Sequence, residues 1–503
     1  MNTRYALILM VLIPVSVGSF AQKIVFTDDF NTKNIAYESA GGTRIVEDST
    51  TGEKVFIYSG KKELLFYQLD TKWKLVHKVK KSPVRESEFS DPNFKVLKAV
   101  HNKDKWSFIV RSLSGCSKET IDFATEEFTV DRKFMEDINK KFRDDLFFDG
   151  DEMNILYLDK DNEINLLNFS ADLSANNIKL SMSSSLPLGK TGKYNTADLY
   201  GQIEVINEQR ARSPYFTRRK VQLYTTQNSY CILVAGEEPV VELTEFDRKT
   251  GRRLKSQLFQ VHEMLPEGSR DARYNTAALL FNNKVHVLAA NKSGGVYAVF
   301  DAVSKEALYH YLYNEKDNTG TFNYGPVLYE TLPGTVNTAV LKEKVDDINM
   351  DKFCSELFKH SNAITARYME DGRLLVTLAN YDMKELAAGT AAMRNGLNTM
   401  TSSDWYVSAS AGFIFDPGGW KISAKKSTWN ELNNSDAGDK YKKVEYTQSS
   451  DADAEYNDKR SYIFKTQFIG NRRYTIYFTA GREIKIDEKI LKNAPPKIVG
   501  FSD

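Results

Sequence analysis

The sequence predicts an all-β fold built from repeated four-stranded antiparallel meanders, and three observations carry that expectation. Short apolar or alternating runs recur along the 503 residues. Turn residues separate these runs at intervals too short for helices, which is the patterning of strands and hairpins. The chain is also too long for one ordinary core unless its architecture repeats.

The clearest set runs Ala277 to Phe281, Val285 to Ala290, Val296 to Phe300 and Ala307 to Tyr313, with Asn282-Asn283 and Ser293-Gly294-Gly295 at its first two turns. Asn and Gly tolerate the positive φ of tight hairpins, so these pairs mark the turns as firmly as the apolar runs mark the strands. A second set comprises Gln222 to Thr225, Tyr230 to Val234, Val240 to Phe246 and Leu254 to Val261. A third comprises Val55 to Ser59, Leu64 to Leu69 and Lys74 to Val79, and a fourth Asp145 to Phe148, Met153 to Leu158 and Ile164 to Phe169. Ala363 to Met369 and Leu374 to Ala379 open another, and Tyr462 to Phe468 with Tyr474 to Thr479 give two strong strands near the end.

A four-stranded meander has two faces and cannot bury both alone, so stacking several around an axis is one economical solution. The groups therefore resemble the blades of a β-propeller, six or seven in number. The turns Asp247-Arg248-Lys249-Thr250-Gly251 and Asp301-Ala302-Val303-Ser304-Lys305 sit where the outer strands of such blades meet. No WD or kelch signature repeats, and a β-sandwich with a second β domain is the alternative architecture. Three segments read as helical: Arg132 to Asp144, with Phe134, Ile138 and Phe142 four apart, Leu341 to His360, and the Ala-rich Met383 to Leu397. Residues 22–480 are thus expected to form the propeller, with insertions near 341–360 and 383–429 and a C-terminal extension over 481–503. The polar stretch Lys425 to Arg460 reads as a long loop with one strand near Lys443 to Thr447.

At the N-terminus, Arg4 precedes the apolar run Tyr5 to Val17 and the small-residue passage Gly18-Ser19-Phe20-Ala21. That pattern predicts a signal peptide over residues 1–21, too short to span a bilayer, and a periplasmic or secreted protein with no membrane span after its removal. The 68 Lys and Arg nearly cancel 67 Asp and Glu, and no basic stripe argues for nucleic acid. Cys116, Cys231 and Cys354 lie too far apart for a CxxC motif, and at most one intrachain disulfide can form.

The chemistry-bearing motifs are few. No Gly-x-Ser-x-Gly occurs, so the serine elbow of many hydrolases has no candidate and the catalytic residues are unassigned. His262-Glu263 opens like a zinc-protease helix, but Pro266 occupies the position of the second His. Asp159, Asp161 and Glu163, like Asp451, Asp453 and Glu455, alternate as the first ligands of a calcium loop do. Ile164 and Tyr456 then replace the required Gly, and no metal or cofactor is expected. His286 and His310 fall in strands of one set, where a histidine is ordinarily a surface or satisfied core residue. Asp416-Pro417-Gly418-Gly419-Trp420 resembles the Asp-x-Gly-x-x-Trp end of the Asp-box of some glycan-handling propellers. Its Trp comes two residues after the first Gly and the motif occurs once, so a structural turn is the expected role. Trp405, Tyr406, Asp416, Trp420 and Trp429 are the candidate binding residues, and 383–429 is the first candidate functional surface.

The reading that results is an exported noncatalytic binding or scaffold protein of the cell envelope, recognising an envelope protein or a surface polysaccharide. An exported polysaccharide hydrolase or lyase on the same scaffold is the alternative, since scattered carboxylates leave no short motif.

Overall fold

The computed structural model describes residues 23–29, 43–48, 51–59, 63–82, 87–91, 94–112, 115–133, 145–149, 152–170, 172–182, 196–208, 210–212, 214–265, 273–316, 322–332, 342–359, 361–383, 405–424, 461–469, 472–479 and 483–490. Two compact units divide the chain, Met1–Glu136 with Ala171–Leu173 and Tyr446–Asp503, and Asp137–Ser170 with Ser174–Glu445.

In the first unit, β1 (Lys23–Asp29) joins a sheet completed by the last strands of the chain, and β2 (Thr43–Glu47), β3 (Lys54–Ser59), β4 (Leu64–Leu69) and β5 (Leu75–Lys81) pair in sequence order as one antiparallel sheet. A second sheet has β6 (Lys95–Asn102), β7 (Lys105–Arg111), β8 (Cys116–Asp122) and β9 (Glu127–Asp131). In the second unit come β10 (Asp145–Asp149), β11 (Glu152–Leu158), β12 (Ile164–Phe169) and β13 (Ala175–Leu180), again in order. After α1 (Thr196–Tyr200), strand β14 (Ile203–Val205) lies parallel to β15 (Val221–Thr225), with α2 (Pro214–Thr217) between them. That sheet continues through β16 (Ser229–Ala235), β17 (Val240–Asp247) and β18 (Arg253–Gln260). The next is β19 (Asn275–Phe281), β20 (Lys284–Asn291), β21 (Gly294–Asp301) and β22 (Ala307–Asn314). The last sheet of this unit is formed by β23 (Tyr324–Leu332), β24 (Lys342–Asp347), β25 (Ser361–Tyr368), β26 (Leu374–Met383) and β27 (Trp405–Phe415), with α3 (Met350–Lys359) before β25. Its spatial order is β24-β23-β27-β26-β25. The chain then returns to the first unit, where β28 (Ser461–Ile469), β29 (Arg472–Thr479) and β30 (Glu483–Ile490) form a sheet that β1 completes by pairing antiparallel to β30.

The described residues form seven four- or five-stranded sheets, most of them meanders paired in sequence order like the blades of a propeller, so the fold is all-β. The middle strands show why sheets stack within each unit. Every residue of β3 and β4 is buried. Phe56, Tyr58, Leu65 and Tyr67 pack with Tyr474 and Ile476, whereas Val55, Ile57, Leu64 and Phe66 pack with Trp106 and Phe108. Successive side chains of a strand point to opposite faces, so each face of this sheet joins a different core. In the second unit β16 behaves alike, with Tyr230, Ile232 and Val234 in one cluster and Cys231, Leu233 and Ala235 in another. The outer strands β5, β9, β18 and β22 alternate or face solvent, which matches the charged residues of the first three and the alternating Tyr and His of β22.

A repeated turn leads into those outer strands. In four sheets an Asp at the end of the penultimate strand accepts through its Oδ1 from backbone N–H groups two to four residues on. Asp70 takes Lys72 and Lys74 at 2.8 Å, and Asp122 takes Ala124 at 3.0 Å and Thr125 at 3.2 Å. Asp247 takes Lys249 at 3.1 Å and Thr250 at 2.8 Å, and Asp301 takes Val303 at 2.9 Å and Ser304 at 2.8 Å. These Asx turns satisfy amides that no strand neighbour reaches.

Several expectations need correction. The charged stretch 95–131, which the patterning leaves unassigned, is a complete sheet. Its β8 buries Glu119 because the carboxylate accepts from Ser87 Oγ, Ser117 Oγ and the Glu88 N–H, each at 2.6 Å. Burial pushes the Glu119 carboxyl up, and those hydrogen bonds oppose the shift. The insertion expected over 341–360 is helical only from Met350, since Lys342–Asp347 pairs with β23 as β24. Within 383–429, β27 is a central strand hydrogen-bonded to both β23 and β26, so this part belongs to the sheet. The extension expected over 481–503 begins with β30, which alternates Ile484, Ile486 and Ile490 with charges and pairs on both sides. The calls on the signal peptide, the 134–144 part of the first helix, 384–397 and Lys425 to Arg460 lie outside the described residues. None of the three cysteines is in a disulfide, and all three are buried.

Gly251 ends the Asp247 turn at φ +68°, and a Cβ there would sit 2.2 Å from the Lys179 carbonyl oxygen of the neighbouring sheet. Gly251→Ala is expected to destabilise the protein by about 2 kcal/mol or more, from left-handed backbone strain plus the clash. A denaturant melt reads this directly, and an unchanged midpoint would show that the turn relaxes freely.

Candidate functional site

Three turns from two sheets of the second unit enclose a cleft of about 210 Å³, lined by residues of 281–284, 368–374 and 416–420. The first is the β19–β20 hairpin, where Asn282 and Asn283 adopt φ +48° and +57° as the Asn-Asn pair requires. The second is the β25–β26 hairpin, with Gly372 at φ +80°. The third follows β27, where Asp416 N–H donates to the Lys421 carbonyl at 2.9 Å and Phe415 bridges to Ile422. Gly418 at φ +77° makes this turn, and a Cβ at Gly418 or Gly419 would meet nothing within 4 Å.

The aromatic walls are fixed by packing. Tyr368 is exposed at 51 %, its ring 5.6 Å from that of Phe281, and its hydroxyl accepts from Asn282 Nδ2 at 2.7 Å. Trp420 is half-buried and meets Phe415 edge-on at 5.1 Å and His286 edge-on at 5.7 Å. His286 lies one step along β20 from Lys284 on the same face and is fully buried. Its Nδ1 is 2.7 Å from the Tyr297 hydroxyl, and Nε2 has no hydrogen-bond partner. Tyr297 stacks on Phe413 at 5.5 Å and 11°. A chain of rings thus ties the cleft floor to the core.

The charges around the cleft are largely paired. Lys284 Nζ donates to Asp301 Oδ2 at 2.6 Å, which with the turn amides holds the Asp301 carboxyl well below the usual carboxylate range. Arg373 directs its guanidinium to Asp371 at 2.6 and 2.7 Å, and this pairing raises the arginine further. The Asp416 carboxylate adds its charge to the same effect on Arg373. Among the lining residues, Asp416 is the one carboxylate.

Of the residues singled out by sequence, Asp416 and Trp420 meet in this cleft. Trp405 and Tyr406 lie at the far end of the same strand, paired with Met383 and Asp382, and Trp429 lies outside the described residues. Phe281, Asn282, Lys284 and Tyr368 escape the sequence reading. The available signal was positional, because each flanks or forms a recognised hairpin turn, but which turns share a cleft depends on how sheets stack. His286 and His310 do not meet. Register places His286 opposite Val299 and His310 opposite Ala298, hence on opposite faces, with His310 exposed. Asp159 accepts from the Asp161 and Glu163 amides at 2.9 and 2.8 Å and from Asn165 Nδ2 at 2.8 Å, so its oxygens serve the turn. Among the described residues no group of three or more His, Cys, Asp or Glu is arranged to hold a metal ion.

No protein-family model matches the chain, and no curated protein does. Solved structures do. The β-propeller domain of the trilobed protease from Pyrococcus furiosus is 9 % identical, covering 81 % of this chain and 98 % of that one at a TM-score of 0.22. The WD40 domain of SCAP from fission yeast is 12 % identical, covering 90 % and 84 % at 0.21. The SapL1 lectin in complex with alpha methyl fucoside is 9 % identical, covering 77 % and 96 % at 0.23.

Burial lowers the His286 pKa from 6.5 to about 3, so the folded protein holds this ring neutral. The unfolded chain takes up its proton near pH 6.5 and the folded one does not. Stability is therefore complete above that pH and falls, by up to about 1.4 kcal/mol per pH unit, as pH drops from 6.5 toward 3. Urea melts at pH 7.5, 6 and 4.5 are expected to show this slope, and His286→Gln is expected to reduce it. An unchanged slope in the variant would locate the acid sensitivity elsewhere.

Proposed function

We propose that this chain is an exported, noncatalytic binding protein of the cell envelope, working in the periplasm or at the cell exterior, and that the 281–284, 368–374 and 416–420 cleft holds its ligand. The observation that carries the reading is the cleft itself: an exposed tyrosine and a half-buried tryptophan flanking a carboxylate, an amide and an ammonium, all on hairpin turns held by rigid sheets. Turns presented by a fixed scaffold are where binding residues concentrate, and aromatic faces beside a few directed polar groups are the usual make-up of such sites. The leader-like N-terminus supports export. The hydrolase reading draws less support here, because general acid and base cleavage of a glycosidic bond takes two carboxyl groups and this lining offers one.

The test is capture of a tagged full-length chain, crosslinked in the cells that make it, beside Tyr368→Ala and Asp416→Asn. An envelope component recovered with the unaltered chain and depleted several-fold with either variant is the expected result. Equal recovery from all three would remove the cleft as the binding site. Polysaccharide breakdown by the unaltered chain and none by Asp416→Asn would replace the binding reading with the enzymatic one.

A further inference from the structure

We infer that the occupant of this cleft is a single uncharged sugar residue, at an end or branch of a surface polysaccharide; this rests on the binding reading above and narrows it. Size sets the first limit. At about 210 Å³ the cleft lies below the range of roughly 300–1,000 Å³ that encloses drug-sized ligands, so it accommodates one ring and leaves the remainder of a polymer outside.

Surface chemistry sets the second. A sugar ring has an apolar C–H face and a rim of hydroxyls. Tyr368, Phe281 and Trp420 supply flat aromatic surface for that face, and Trp420 is held in place from behind by Phe415 and His286. The rim needs donors and acceptors in alternation. Asp416 provides an acceptor, while Lys284 and the amide of Asn282 provide donors. Gly418 and Gly419 leave the third turn without side chains, so a flat ring can approach its backbone.

Charge sets the third. Of the cations in and beside the lining, Lys284 is paired with Asp301 and Arg373 with Asp371, and Asp416 adds a negative charge to the same lining. A free cation in this aromatic setting would face the Lys284 ammonium, and an anion would face Asp416. A neutral polyol meets neither cost, and each of its hydroxyls can both donate and accept.

The experiment is calorimetric titration of the full chain with methyl glycosides of neutral hexoses, 6-deoxyhexoses and N-acetylhexosamines, alongside choline, glucuronate and inorganic phosphate. At least one neutral glycoside is expected to bind while the charged probes do not. Asp416→Asn and Trp420→Ala are each expected to weaken that binding about tenfold or more, the loss of a charge-assisted hydrogen bond or of a stacking face. Trp420 also packs against the core, so if Trp420→Ala fails to fold the decision passes to Asp416→Asn and to Tyr368→Ala at the exposed wall. Binding of a charged probe in place of the glycosides, or glycoside binding that all folded variants retain, overturns the assignment. If no glycoside binds while Tyr368→Ala still depletes the captured envelope component, the sugar inference falls and the binding reading stands. If neither signal appears, both fall.

Discussion

The two faces of each inner strand must be covered, and the rest of this structure follows from that need. A meander such as β2–β5 presents apolar side chains above and below at once, and no fold of four strands can bury both on its own. Phe56 and Tyr67 go to one cluster and Ile57 and Phe66 to another, so neighbouring sheets are mutual requirements. Residues that carry no core, such as those in the hairpin turns, remain to be shaped by other demands. The cleft arises there, on backbone whose position the stacked strands have already decided.

The same stacking makes polar groups tolerable deep in the protein, on the condition that each finds partners. Glu119 has two serine hydroxyls and a backbone amide. Gln222 donates to the carbonyls of Thr217, Arg219 and Ala278 and accepts from the Tyr224 hydroxyl, linking β15 to β19. Such contacts add little net free energy, about 1 kcal/mol each, but leaving one partner unpaired costs more, which fixes register between sheets. His286 shows the boundary of the rule, with one nitrogen paired and the other facing rings.

Legibility followed the same physics. The set from Ala277 to Tyr313 was readable because its apolar runs agree with the Asn-Asn turn, although the second turn falls at Lys292-Ser293 and the Gly294-Gly295 pair expected there already belongs to β21. The 95–131 sheet was not, because Cys116–Asp122 reads as polar, and its buried Glu119 is satisfied by residues as distant as Ser87. Strand β1 and strand β30 were missed for a different reason: seven or eight residues rich in charge become strands when an edge is offered to them. At the cleft, Asp416 and Trp420 drew attention through a local motif, whereas Tyr368 and Phe281 have no local mark. Their significance is a matter of which hairpins end side by side, a long-range fact that no window of sequence contains.

The pairing of β1 with β30 bears on how the molecule is made. The strand nearest the N-terminus emerges from the ribosome first, and its hydrogen-bonding neighbour emerges more than four hundred residues later. Until then β1 has no ladder to join, so completion of this sheet waits for β30 to emerge. Contacts of such sequence separation slow folding. A chain truncated anywhere before Glu483 leaves that early segment permanently without its mate, and a quality-control protease would find it there.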